Sequence, residues 1–66
     1  MKNRLKVARA EMYLTQEELA KRIGVSRQTI NAVESGRYVP STVLALKMAQ
    51  VFGKAVEEIF MLEETD

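Results

Sequence analysis

A chain of 66 residues holds one domain, near the lower limit at which a hydrophobic core suffices without a partner. It has no cysteine and no histidine, which removes disulfides, thiolate metal sites and the usual acid–base and zinc-ligand chemistry. With no glycine-rich phosphate loop and no nucleophile–base pairing either, an enzyme is not expected, nor is a cofactor, a metal or a small-molecule ligand. The net charge of +1 hides an asymmetry: residues 1–56 carry ten Lys and Arg against four acids, a surplus of six, whereas residues 57–66 carry five acids and no base. A basic body with an acidic end suits two different partners, and equally an acidic end that only aids solubility. No apolar run approaches a membrane span and no signal peptide is visible, so a cytoplasmic protein with no membrane partner is expected.

Lys2 to Met12 is predicted as a first helix, or a short strand leading into one. Leu5, Ala8 and Met12 form its apolar stripe, and Met12 and Met48 read as core fillers. Thr15 with Glu18 is a capping box, so the second helix is predicted to start at Gln16. Leu19, Ala20 and Ile23 give it one apolar face. Gly24 falls where the chain must turn sharply, Val25 fills the corner, and Ser26 is a good N-cap for a third helix over residues 27–35. Projected at about 100° per residue, Ile30 and Val33 point inward while Arg27, Gln28, Asn31, Ala32 and Ser35 share the outer face. Those side chains can read base edges, arginine with guanine and glutamine or asparagine with adenine. The only acid of this helix, Glu34, projects beside the buried side. Two helices joined by a short glycine-containing turn, the second exposing such groups, have the form of a helix-turn-helix.

Gly36 to Pro40 reads as a loop. Ser41 caps a helix from Thr42 to Phe52, whose Leu44, Ala45, Met48, Ala49, Val51 and Phe52 cover an arc wide enough for a central helix, with Lys47 and Gln50 on its wet side. Gly53 ends it. Val56 to Phe60 is predicted as a short fifth helix with Ile59 and Phe60 facing the body. Met61 and Leu62, apolar beside Glu63 and Glu64, suggest an edge that something covers.

The stretch Thr15 to Gly36, TQEELAKRIGVSRQTINAVESG, resembles the helix-turn-helix of the Cro/CI-type (XRE) repressor family. The likeness continues through GRYVPS, ALKMAQVFG and EEIF, over roughly residues 4–60, and extends to small dimeric repressors exemplified by the cytolysin-operon regulator. The resemblance implies an all-α, five-helix lambda-repressor-like domain spanning residues 1–66. It further implies a two-stranded antiparallel sheet pairing roughly residues 1–4 with 61–64, and an ion pair between Arg9 and Glu34. Family members often have glycine where Tyr13 stands, so the first helix is expected to end less cleanly here. The implied function is sequence-specific binding of double-stranded DNA by a homodimer on a palindromic operator, as a transcriptional regulator and more specifically a repressor. Arg27, Gln28, Asn31 and Ala32 are the base-reading candidates. Gln16, Thr29, Arg37 and Tyr38 are the phosphate-binding candidates, Arg37 and Tyr38 gripping the flanking backbone. Lys21, Arg22 and Lys54 read as solvated surface. Val56, Ile59, Phe60, Met61 and Leu62 are the expected dimer interface, rimmed by Glu57, Glu58, Glu63 and Glu64 far from the phosphates. The alternative is an antitoxin or protein-interaction adaptor on the same fold.

Overall fold

The computed structural model describes residues 1–66. Five helices and two short strands follow one another: β1 Lys2–Asn3, α1 Leu5–Glu11, α2 Gln16–Ile23, α3 Arg27–Glu34, α4 Thr42–Phe52, α5 Val56–Ile59 and β2 Phe60–Met61. Local chemistry sets most of these limits. The Thr15 hydroxyl accepts from the Glu18 N–H at 3.0 Å while the Glu18 carboxylate accepts from the Thr15 N–H at 2.9 Å, so α2 opens on the expected capping box. The Ser26 and Ser41 hydroxyls accept from the Thr29 and Leu44 amides at 3.1 and 3.2 Å, opening α3 and α4. Such caps are each worth about 1 kcal/mol. Gly24 (φ 74°) and Gly53 (φ 63°) end α2 and α4 in the left-handed region, where glycine carries no Cβ penalty.

A short strand leads into the first helix, the second of the two expected forms, and the helix stops earlier than expected at its far end. Lys2 and Asn3 are extended, pairing antiparallel with Met61 and Phe60, a two-residue ladder shorter than the 1–4 with 61–64 pairing. The Asn3 side chain explains the switch from strand to helix. Its Oδ1 accepts from the Leu5 N–H at 3.2 Å, and its Nδ2 donates to the Val33 carbonyl at 2.8 Å. At the other end α1 stops at Glu11, and the Tyr13 and Leu14 amides fold back to the Ala10 and Arg9 carbonyls at 3.0 Å each. This is a Schellman closure with Tyr13, at φ 55°, in the left-handed position that glycine favours. Met12 therefore leaves the helical stripe and is 40% exposed, so it is not a core filler, whereas Met48 is fully buried.

Every helix contributes to one core: Leu5 from α1, Leu19, Ala20 and Ile23 from α2, Ile30 and Val33 from α3, Leu44, Met48 and Ala49 from α4, Ile59 from α5, with Phe60 of β2. No polar side chain is buried among them. Helix α5 is one residue shorter than expected because Phe60 is extended and enters β2. Ile59 and Phe60 face the body, as their spacing indicated. Ile59, at 0% exposure, is not open to a partner, which corrects its place in the expected dimer interface, whereas Phe60, at 7%, keeps an edge on an apolar recess. No helix is long and apolar enough to cross a membrane.

Candidate nucleic-acid interface

Helices α2 and α3 pack through Leu19, Ala20, Ile23, Ile30 and Val33, all buried. Burying Ile30 and Val33 fixes the rotation of α3, and that rotation places Arg27, Gln28 and Asn31 on the solvent side with Ala32 half-buried at their edge. Thr29 is half-buried too, its hydroxyl 3.0 Å from that of Ser26.

The end of α3 is closed by a second Schellman motif. Gly36 takes φ 80°, its N–H donates to the Val33 carbonyl, and the Arg37 N–H donates to that of Ala32, both at 3.0 Å. The Tyr38 N–H reaches the same Ala32 carbonyl at 3.2 Å. This reversal turns the Arg37 side chain back over the helix instead of outward along the loop. Its Nη2 donates to Asn31 Oδ1 at 3.0 Å and its Nε to Ser35 Oγ at 3.0 Å. Ser35 Oγ in turn donates to the Ala32 carbonyl at 3.1 Å. Arg27, Gln28, Asn31 and Arg37 together line a shallow recess of about 190 Å³ with no apolar residue in its wall. Tyr38, about half exposed, borders a separate recess with Thr29, Val43 and Lys47.

Behind this face lies a polar cluster that joins three elements. Arg9 of α1 donates from Nε to Glu34 Oε2 at 2.8 Å and from Nη2 to Oε1 at 3.3 Å. Its Nη1 donates to the Leu14 carbonyl at 2.7 Å. The Gln16 amide, at the first position of α2, donates to Glu34 Oε1 at 3.2 Å. The ion pair implied by the resemblance is thus present and well covered, with side-chain exposures of 15% for Arg9 and 8% for Glu34. The sequence pattern did not reveal that Gln16 shares it. Because Glu34 is occupied by Arg9 and Gln16, the one acid of α3 adds no free negative charge beside Arg27 and Arg37.

Other charges lie elsewhere on the surface. The Thr15 backbone and side chain hold the Glu18 carboxyl below its usual range, assisted by Arg22 and Lys21. Glu63 and Asp66 accept from the Met1 ammonium at 3.0 and 3.1 Å, and their hydrogen bonds raise its pKa. Glu63 also borders an open groove with Lys2, Arg4, Ser35 and Gly36. The acidic end therefore approaches the last turn of α3 more closely than the sequence suggested. No group of Asp and Glu side chains gathers as a metal site would require.

The helix-turn-helix family profile matches residues 5–59, which takes in α1 through α5. The chain belongs to the helix-turn-helix family. It is 56% identical, over the full length of both chains, to an uncharacterized HTH-type transcriptional regulator of Methanocaldococcus jannaschii. To the uncharacterized HTH-type transcriptional regulator YgzD of Bacillus subtilis it is 48% identical over 97% of each chain. Among solved structures it is similar to the restriction-modification controller protein C.AhdI from Aeromonas hydrophila, at TM-score 0.79 and 35% identity over 86% of each chain. This helix-turn-helix protein is a transcriptional regulator with a DNA-binding fold of the XRE type, a family that is not enzymatic.

Proposed function

We propose that the protein is a sequence-specific double-stranded DNA-binding repressor that acts as a homodimer on a palindromic operator. The observation that carries this reading is the outer face of α3, where exposed Arg27, Gln28 and Asn31 stand on a helix whose rotation is fixed by buried Ile30 and Val33. Helix α3 enters the major groove and α2 crosses the backbone beside it. Gln28 reads adenine through a bidentate amide pair, Arg27 reads guanine, and the Ala32 methyl meets a thymine methyl. At the start of α2, free backbone amides and the remaining Gln16 N–H take a phosphate with help from the helix dipole. Thr29, Arg37 and Tyr38 take phosphates at the other edge, Arg37 through its Nη1 hydrogens, which are free of the Asn31 and Ser35 bonds.

A homodimer follows from how little sequence one helix reads. A few base pairs recur throughout a genome, so specificity calls for two copies on half-sites about one helical turn apart. Apolar surface left open by the monomer supports this. Val56, Val39, Pro40, Ala45 and Leu46 line a recess of about 210 Å³ over the edge of Phe60, and Val39, Leu46 and Leu62 are 60%, 52% and 82% exposed. The interface is accordingly assigned to Val56, Phe60, Met61 and Leu62 with Val39 and Leu46, and no longer to Ile59. The same recess would serve an adaptor or antitoxin that binds another polypeptide.

Selection of bound fragments from a random duplex pool tests the reading. Enrichment of a two-fold symmetric site, with affinity falling linearly in log–log form against salt, is the expected result. A full-length protein that enriches nothing would overturn it.

A further inference from the structure

We propose that Arg37 decides which base Asn31 reads, turning it from an adenine reader into a guanine reader. This rests on the assignment of α3 as the base-reading helix and adds to it a specificity-determining residue outside that helix.

The argument starts from hydrogen-bond polarity. A guanidinium has only donors, so the Asn31 atom 3.0 Å from Arg37 Nη2 must be the carbonyl Oδ1, and the amide can be oriented in one way only. Recognition of adenine by asparagine needs both halves of the amide, Oδ1 accepting from N6 and Nδ2 donating to N7. With Oδ1 turned to Arg37 and one of its two lone pairs taken there, Asn31 presents chiefly Nδ2 and its two hydrogens to the groove. A base edge bearing acceptors fits such a group, whereas the amino groups of adenine and cytosine bring donor against donor. Guanine, with O6 and N7 both acceptors, fits it best. The fixed positive charge of Arg37 beside the amide favours the same edge.

The arrangement is braced on two sides. Gly36 in the left-handed region returns the backbone of Arg37 to the Ala32 carbonyl at 3.0 Å. Arg37 Nε is held by Ser35 Oγ, itself anchored on that same carbonyl. Loop closure, serine relay and guanidinium together set the amide before DNA arrives. Asn31 and Arg37 are neighbours in the polar recess shared with Arg27 and Gln28, so the fixed amide faces the same space as the other two readers.

Selection from a random duplex pool with wild type, Asn31→Ala, Arg37→Met and the double variant tests the proposal. Both residues are exposed, and unchanged unfolding midpoints would verify that the variants fold. The half-site position whose preference disappears in Asn31→Ala is the one Asn31 faces. Wild type is expected to prefer guanine there by roughly tenfold. Arg37→Met is expected to move that preference to adenine while weakening binding to all sites, and the double variant to show none. Wild type choosing adenine there, or Arg37→Met lowering affinity with the base profile unchanged, would overturn the proposal. An Asn31→Ala profile identical to wild type would overturn it while leaving DNA recognition by α3 standing. A wild-type protein that enriches no site would remove both.

Discussion

Glu34 should matter more to the fold than its place at the end of an exposed helix implies. Its carboxylate accepts three hydrogen bonds, two from Arg9 at 2.8 and 3.3 Å and one from Gln16 at 3.2 Å, and only 8% of its side chain is exposed. Removing one partner of a buried pair costs about 3–5 kcal/mol, against about 0–1 kcal/mol for an exposed one. A 66-residue domain has about 3–10 kcal/mol in total, at roughly 0.05–0.15 kcal/mol per residue. The pair is partly buried, so either single substitution should lie toward the upper of these ranges and remove roughly 30% or more of the stability. Glu34→Gln and Arg9→Met keep most of the shape while breaking the charge pairing. Hydrogen bonds to charged groups are worth about 1.5–3 kcal/mol net, which sets the expected coupling. Arg9→Met should cost about 1 kcal/mol more than Glu34→Gln, because it also frees the Leu14 carbonyl held at 2.7 Å. Urea unfolding followed by far-ultraviolet circular dichroism, on wild type, both singles and the double at one protein concentration, gives the cycle. A coupling within error of zero would refute the reasoning, because it would make the pair a pair of independent surface charges.

Three further outcomes are expected. Tyr13→Gly should raise stability by about 0.5–1 kcal/mol, the relief of left-handed strain less the entropy glycine loses on folding, and Tyr13→Ala should not; equal gains in thermal midpoint would show that the exposed ring and not φ 55° is responsible. Because Glu18 titrates below its ordinary value in the folded chain, its contribution is present above about pH 4.3, the unfolded value, and is lost as pH falls through the folded one. Wild type should thus exceed Glu18→Gln in stability at neutral pH and converge with it in acid, and a gap that is the same at pH 7 and pH 3 would contradict the capping role. Leu46→Glu, with Leu46 half exposed beside the apolar recess, should turn a dimer into a monomer at micromolar concentration by sedimentation and weaken operator binding. A wild type that is already monomeric there while binding a palindrome tightly would remove the interface.

Much of the fold is legible because it is specified by short-range chemistry. Thr15 with Glu18, Ser26, Ser41, Gly24 and Gly53 mark helix ends by caps and left-handed turns, and α2 and α4 run between the limits those residues set, Gln16–Ile23 and Thr42–Phe52. The rotation of α3 is legible too, since Ile30 and Val33 at a spacing of three leave one outer face. What escapes the pattern depends on contacts distant in sequence or on rotamers. A two-residue strand has too little periodicity to register, so Phe60 reads as the end of a helix. Tyrosine itself carries no signal for a positive φ, so only the glycine common in the family at this position hints at the Schellman closure at Tyr13, and the exposure of Met12 that follows is not legible beforehand. The bonds of Gln16 to Glu34 and of Arg37 to Asn31 span 18 and 6 residues. Spacing places these residues near one face, but only the Gly36 reversal aims the Arg37 guanidinium at Asn31.

Base discrimination by Gln28 is the most direct test of the claim that α3 reads DNA. Gln28 is exposed on the outer face and forms no side-chain hydrogen bond that another residue would lose with it. A bidentate amide–adenine contact discriminates by about 1–3 kcal/mol. Affinities of wild type and Gln28→Ala are measured by fluorescence anisotropy for the selected operator and every symmetric single-base variant, at one salt concentration. The variant should lose its preference for adenine at one position in each half-site, keep its preferences elsewhere, and bind random duplex as wild type does. Undiminished discrimination at every position would contradict base reading by Gln28, the strongest of the readers assigned to α3.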